Sequence, residues 1–160
     1  PDNRRPVDHT ALDALLDSPA PWHPTPAQWQ SGRVKQHLIQ ASLRLRLKYP
    51  QLFESDYVPV RVCGQQSDHV VAYLRACAGQ WVLAVVPRAC ALSLAPYAQG
   101  RATLGRAFWG DTILTLPQAG SQPWRNVLSG EQGILGTDRH LALSDLLHDW
   151  PVGLWTNTSP

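Results

Sequence analysis

The chain has 160 residues, 44% of them apolar and 16% charged, with a formal net charge of +2 at neutral pH. That length buries a real core in one domain or in a small domain with an appendage, and the apolar share excludes a disordered chain. The 14 basic residues are spread along the chain, which argues against a nucleic-acid groove, and no apolar run approaches the ~20 residues that span a bilayer.

Three cysteines, Cys63, Cys77 and Cys90, are odd in number and widely spaced. They fit buried thiols in a reduced, cytoplasmic setting better than a disulfide framework, and no paired ligands at short spacing suggest a zinc site. No signal peptide is visible. Seven Trp residues are a high count for this length, either as core filling or as stacking platforms for sugar rings.

The opening segment, Pro1-Asp2-Asn3-Arg4-Arg5-Pro6-Val7-Asp8, packs two carboxylate residues, two guanidiniums and two prolines into eight positions. It follows no initiator Met, and it reads as interior sequence. A guanidinium beside a carboxylate, stiffened by proline, orients sugar hydroxyls or a catalytic carboxylate, or else forms an ion-pair knot at a loop base. Thr10, with Asp13 three residues on, is the expected cap of a short helix carrying Leu12, Leu15 and Leu16 on one face. The four prolines between Asp17 and Pro26 predict an extended path.

A long helix is predicted from about Ser31 to Tyr49. Val34, Leu38, Ala41 and Leu45 recur at helical intervals, with Ile39, Leu43 and Leu47 widening the stripe. Arg33, His37, Gln40, Arg44 and Lys48 run opposite as a solvated basic face. Pro50 stops the helix.

From Tyr57 the period changes to that of strands. Tyr57–Val62 reads as a strand with Pro59 at an edge or start. His69–Arg75 and Trp81–Val86 flank a turn at Ala78-Gly79-Gln80, a hairpin whose second strand is apolar enough to be central. Residues Ala89 to Gly105 are mixed. Trp109–Pro117 reads as a strand with a turn in front, and Trp124–Leu128 forms a hairpin through Ser129-Gly130-Glu131 with Ile134 and Leu135. Leu141–Leu147 includes a helical turn, and Pro151–Trp155 makes a last strand. Short strands with regular turns point to a mainly β fold, an antiparallel sandwich. His140 and His148 have no metal-ligand companions within reach along the sequence, so no metal is expected. Asp68 and His69 carry no flanking signature of a nucleophile or base.

These residues carry a resemblance. Asp2-Asn3-Arg4-Arg5-Pro6-Val7-Asp8, followed by Gly32-Arg33-Val34-Lys35, Leu43-Arg44-Leu45-Arg46, Tyr49-Pro50 and Leu52-Phe53, is similar to the end of an α-amylase-type (β/α)8 barrel. Tyr57-Val58-Pro59-Val60, Val85-Val86-Pro87-Arg88, Trp109-Gly110-Asp111-Thr112 and Trp124-Arg125-Asn126-Val127-Leu128-Ser129-Gly130-Glu131 resemble one branch of that superfamily, the maltooligosyl trehalose synthases. The resemblance runs along nearly the whole chain.

It implies a parent enzyme that turns the reducing-end α-1,4 linkage of a malto-oligosaccharide into an α,α-1,1 linkage through a covalent glucosyl intermediate on paired carboxylates, without cofactor. Those carboxylates would lie upstream of Pro1, leaving this chain without mutase activity. Residues 1–56 would be the last loop and helices of the barrel, and residues 57–160 the C-terminal antiparallel β-sandwich. Asp2, Asn3, Arg4 and Arg5 would then rim the active site, on the barrel face where such sites are built.

Two roles are expected of the part that remains: stabilising the barrel, or binding glucan through exposed Trp109 and Trp124. The partners expected are the missing barrel and, in the parent enzyme, a malto-oligosaccharide. Neither nucleic acid nor membrane is expected. With its barrel absent, the fragment should self-associate through the stripe of helix 31–49.

Overall fold

Capping chemistry sets the first helices. The computed structural model describes residues 6–16, 24–90, 93, 103–117, 123–134 and 139–159. Helix α1 (His9–Leu16) is opened by Asp8, whose Oδ1 accepts from the Ala11 backbone N–H at 2.9 Å. Asp8 therefore takes the capping place expected of Thr10, which lies inside the helix. A short helix that the prolines obscured follows as α2 (Pro26–Gln30). Thr25 and Gln28 close a reciprocal capping box at its start, and Pro26 supplies a preset φ in its first turn. Helix α3 (Arg33–Lys48) matches the long periodic segment, and α4 (Pro50–Glu54) restarts at the proline that ends it.

The rest is mostly β, in antiparallel sheets. Strand β1 (Val58–Pro59) lies at a sheet edge, as Pro59 requires, and β2 (Arg61–Cys63) belongs to a different sheet. The single strand expected over Tyr57–Val62 is thus two. Val60, buried between them, is the point where the chain changes sheets. Strands β3 (Val70–Cys77) and β4 (Gln80–Pro87) form the expected hairpin, in register from Val70–Pro87 to Cys77–Gln80. Its turn residues Ala78 and Gly79 both have positive φ, 49° and 79°, the geometry that follows the right-handed twist of paired strands.

A helical turn, α5 (Arg106–Trp109), stands where the start of a strand was expected, and β5 (Ile113–Thr115) begins only after Gly110. Strands β6 (Pro123–Asn126) and β7 (Gln132–Ile134) pair as a hairpin, and β8 (His140–Ala142) leads into α6 (Leu143–Leu146). The last strand, β9 (Gly153–Thr156), inserts between β4 and β6. One sheet has the order β1-β3-β4-β9-β6-β7 and the other β2-β5-β8.

Strand β4 explains how these layers stack. Leu83 and Val85 point into a cluster shared with Leu114 of β5 and Leu141 of β8, while Val82 and Ala84 point into a second cluster with Val34, Leu45 and Leu52 of the helices. The six-stranded sheet therefore has the smaller sheet on one face and α3 and α4 on the other. A strand buried on both faces reads as a continuous apolar run rather than an alternating one, and Trp81–Val86 is such a run. Leu143, Leu146 and Leu147 close the first cluster, each at most 3% exposed.

Polar side chains tie the helices to the sheet. Arg75 of β3 donates to the carbonyls of Phe53 and Ser55, which the end of α4 leaves without helical partners. His37 Nε2 donates to the Leu128 carbonyl at 3.1 Å, with its ring 5.3 Å from that of Trp150. The Tyr49 hydroxyl reaches the Ser159 carbonyl at 2.9 Å, and Arg125 Nε donates to that of Thr158 at 3.1 Å. Half-buried contacts of this kind replace the solvated face expected at His37.

Candidate functional site

Helix α3 has two apolar faces where one broad stripe was expected. Val34 and Leu45 are each 4% exposed against the sheet, whereas Ile39, Leu43 and Leu47 are 48%, 59% and 84% exposed. The second set recurs every fourth residue and so forms one row along the helix. Beside it lie Leu12 and Leu16 of α1, and the two helices bound an open groove of about 640 Å³. Gln36 holds α1 in place by donating from Nε2 to the Leu12 carbonyl at 2.6 Å. Its own Oε1 is shut off from solvent and has no hydrogen-bond partner. The exposed row Ile39, Leu43 and Leu47, with Leu12 and Leu16 beside it, offers apolar contact along its length to whatever covers it.

The tryptophans expected to stack on glucan are elsewhere. Trp109 is 0% exposed and meets Phe108 edge-on at 5.0 Å, and Trp124 is 5% exposed. Neither presents a ring face to solvent, which corrects the expectation that they are exposed; Trp109 does precede a turn, at Gly110 and Asp111. Both are core members, because α5 turns Trp109 inward and β6 directs Trp124 toward the smaller sheet. Trp155 is buried as its apolar strand implies, with Nε1 donating to the Leu146 carbonyl, and Trp81 is half-buried. Trp29 is the exposed tryptophan among the described residues, at 52%. Asp2, Asn3, Arg4 and Arg5 lie outside the described residues.

The cysteines are free: Cys63 and Cys77 half-buried, Cys90 buried. Burial pushes the Cys90 thiol up.

One constellation was invisible along the sequence. The β6–β7 turn, held by Gly130 at φ 73° and its N–H bond to the Asn126 carbonyl, brings Glu131 against His148 and Asp149 beyond α6. Partial burial raises the Glu131 carboxyl above its ordinary range; His148 pulls it back, while Asp149 and Asp145 push it further up. These three residues offer ligand atoms within 4.8 Å of one another. Glu131 already stood out in the sequence only as a turn residue, and its partner His148 only as an isolated histidine.

Comparison with known proteins is consistent across sequence and structure. No family model matches the chain. Proteins from two strains of Mycobacterium tuberculosis, both named as maltooligosyl trehalose synthase, are 32% identical to it over 159 residues, or 96% of the chain. A solved mutant of the maltooligosyltrehalose synthase from Arthrobacter ramosus superposes with a TM-score of 0.67 at 32% identity, covering 99% of the chain. The chain is a homologue of the maltooligosyl trehalose synthases. It spans 16% of the length of the mycobacterial synthases and 18% of the Arthrobacter one. The synthase motifs at Val85-Val86-Pro87-Arg88 and Trp124–Glu131 accordingly fall on the end of β4 and on the β6–β7 hairpin. Among the described residues no helix is long and apolar enough to cross a membrane.

Proposed function

We propose that the chain is the non-catalytic C-terminal part of a maltooligosyl trehalose synthase and that it stabilises the catalytic barrel of that enzyme. In this reading residues 1–56 are the last barrel loop and helices, residues 57–160 form a β-sandwich, and the parent acts on malto-oligosaccharides in the cytoplasm. The parent would convert a reducing-end α-1,4 linkage into an α,α-1,1 linkage with carboxylates absent from this chain.

The observation that carries the reading is the exposed row Ile39, Leu43 and Leu47 beside Leu12 and Leu16. A row of that kind in water is unfavourable by roughly 25 cal/mol for each Å² a partner could cover. The relatives have several times this chain's length in which to supply the cover. Helix α3 would then be a shared wall, one face on the sheet and the other on the barrel. Asp2, Asn3, Arg4 and Arg5 would enter the active-site rim from the same end of the chain.

The test uses the Arthrobacter enzyme with charged residues placed at the positions aligned with Leu43 and Leu47. The expected result is a shorter half-life at elevated temperature with the per-molecule turnover of surviving enzyme retained. An unchanged half-life would remove the docking role. The burial of Trp109 and Trp124 leaves the glucan-binding alternative without its platforms.

A further inference from the structure

We propose that the groove between α1 and α3 receives an amphipathic helix whose apolar stripe is flanked by carboxylates, supplied by the remainder of the parent synthase. The proposal rests on the docking reading and adds to it the shape and charge of the occupant. Ile39, Leu43 and Leu47 follow the i, i+4 ridge of α3, and Leu12 and Leu16 repeat that spacing on α1. Two such ridges bound a channel into which the side chains of a third helix interdigitate. From Ile39 to Leu47 the channel runs about 12 Å, or roughly two helical turns. A strand or an open loop laid there would set its backbone N–H and C=O groups against leucine side chains. A helix satisfies those groups internally.

The charge of the occupant follows from the rim. Among the described residues the charged walls of the groove are Lys35 and Arg44, both exposed, and the α1 carboxylates Asp8 and Asp13 are not part of it. Neither cation makes an ion pair or hydrogen bond among the described residues. Around the helix axis Lys35 lies roughly 80° to one side of Leu43 and Arg44 roughly 100° to the other, about 13.5 Å apart along it. A helix lying on the row therefore meets a cation on each flank. Carboxylates beside its stripe compensate Lys35 and Arg44 as water is excluded from them, whereas lysines in those places are repelled. A second copy of this chain also covers the row, but it brings its own Lys35 and Arg44 to the seam and is the weaker occupant.

The test uses two fluorescent peptides of about five turns, stapled as helices on the far face, with one leucine stripe in common. Glutamates flank the stripe in one and lysines in its twin. Each is titrated with the 160-residue chain at concentrations where the chain sediments as a monomer, and anisotropy is read. The glutamate peptide is expected to bind saturably and about tenfold more tightly than its twin, with the gap narrowing as salt is raised. Lys35→Glu with Arg44→Glu reverses the order; both positions are exposed, so this variant keeps the parental circular dichroism. Leu43→Arg with Leu47→Glu loses the glutamate peptide, which locates it on the row. Equal affinity for the twins leaves the row a docking surface but overturns the acidic occupant. So does a preference unchanged by Lys35→Glu with Arg44→Glu, or glutamate-peptide binding that survives the row variant. Binding of neither peptide overturns the proposal as well, and the docking reading then stands or falls on the half-life of the Arthrobacter variants.

Discussion

Leu43 and Leu45 sit two residues apart on α3 and meet opposite surroundings: Leu45 is 4% exposed against the sheet, and Leu43 is 59% exposed on the far side. Two positions on a helix differ by roughly 200° around its axis, so the helix is apolar on both sides. A helix at the edge of a finished domain has one apolar face; a helix between two layers has two. The pair locates the boundary between the part of the protein folded here and the part that would cover it.

The same pair sets a stability contrast. Leu45→Ala should cost about 2–5 kcal/mol in urea unfolding, because it empties a filled site between Val82 and Leu52. Leu43→Ala should lie within about 0.5 kcal/mol of the parent. In sedimentation velocity the parent chain should self-associate through its exposed row, and Leu43→Arg with Leu47→Glu should sediment as a monomer.

Gly64 is a second fixed point. It follows β2 at φ +112° and packs against the turn before β5, where an added Cβ would stand 2.6 Å from Thr112 Cα. The following amides of Gln65 and Gln66 donate to Asp111 Oδ1 and Thr112 Oγ1, both at 3.0 Å, so the backbone cannot retreat without breaking them. Gly64→Ala should lose about 2 kcal/mol or more on chemical denaturation.

Buried tryptophans give a spectroscopic expectation. Maltoheptaose titrated into the chain should cause no saturable change in Trp fluorescence, since Trp109 and Trp124 have no free ring face. Trp109→Ala should instead cost about 3–5 kcal/mol, a packing loss.

Cys90 supplies a pH dependence. Its thiol is held above the ordinary range by burial, so the folded chain keeps this proton where the unfolded chain has lost it. Stability from this group is therefore full below the ordinary thiol range and falls as pH rises through it toward the raised value. Alkylation of Cys90 by iodoacetamide at pH 8 should be slower than that of half-buried Cys63 and Cys77, read by mass spectrometry of the peptides.

Local pattern made part of this fold legible. Helix α3 announces itself through the recurrence of Val34, Leu38, Ala41 and Leu45, and the β3–β4 hairpin through Ala78-Gly79 between two apolar runs. The capping box of Thr25 and Gln28 was also present in the sequence, with Pro26 at the expected helix position, but neighbouring prolines masked it. What sequence pattern did not carry was tertiary. Val60 divides one apparent strand because its two ends pair with different sheets. Trp109 and Trp124 adjoin turn-forming residues, yet the direction of each ring depends on the layer beneath it. Glu131 and His148 meet only because β9 returns the chain past the β6–β7 turn, which no spacing rule anticipates.

The proposed place of Arg4 and Arg5 at the parent's active-site rim has its own test. Replacing each by Ala in the full-length enzyme should lower turnover while leaving the melting temperature in place, a split that an ion-pair knot at a loop base would not give.

The central claim is that this chain completes and stabilises a barrel of which it holds only the last loop and helices. Its most direct test is complementation: the Arthrobacter enzyme is truncated of the 18% that this chain matches, and the chain is added in trans. Conversion of maltoheptaose to its trehalose-ended isomer is then followed by loss of reducing ends. The account predicts no conversion by the chain alone, unstable or weak conversion by the truncated enzyme, and restored conversion by the mixture, abolished when Leu43→Arg and Leu47→Glu are introduced. Conversion by the chain alone, or full and durable activity of the truncated enzyme without it, would contradict the account.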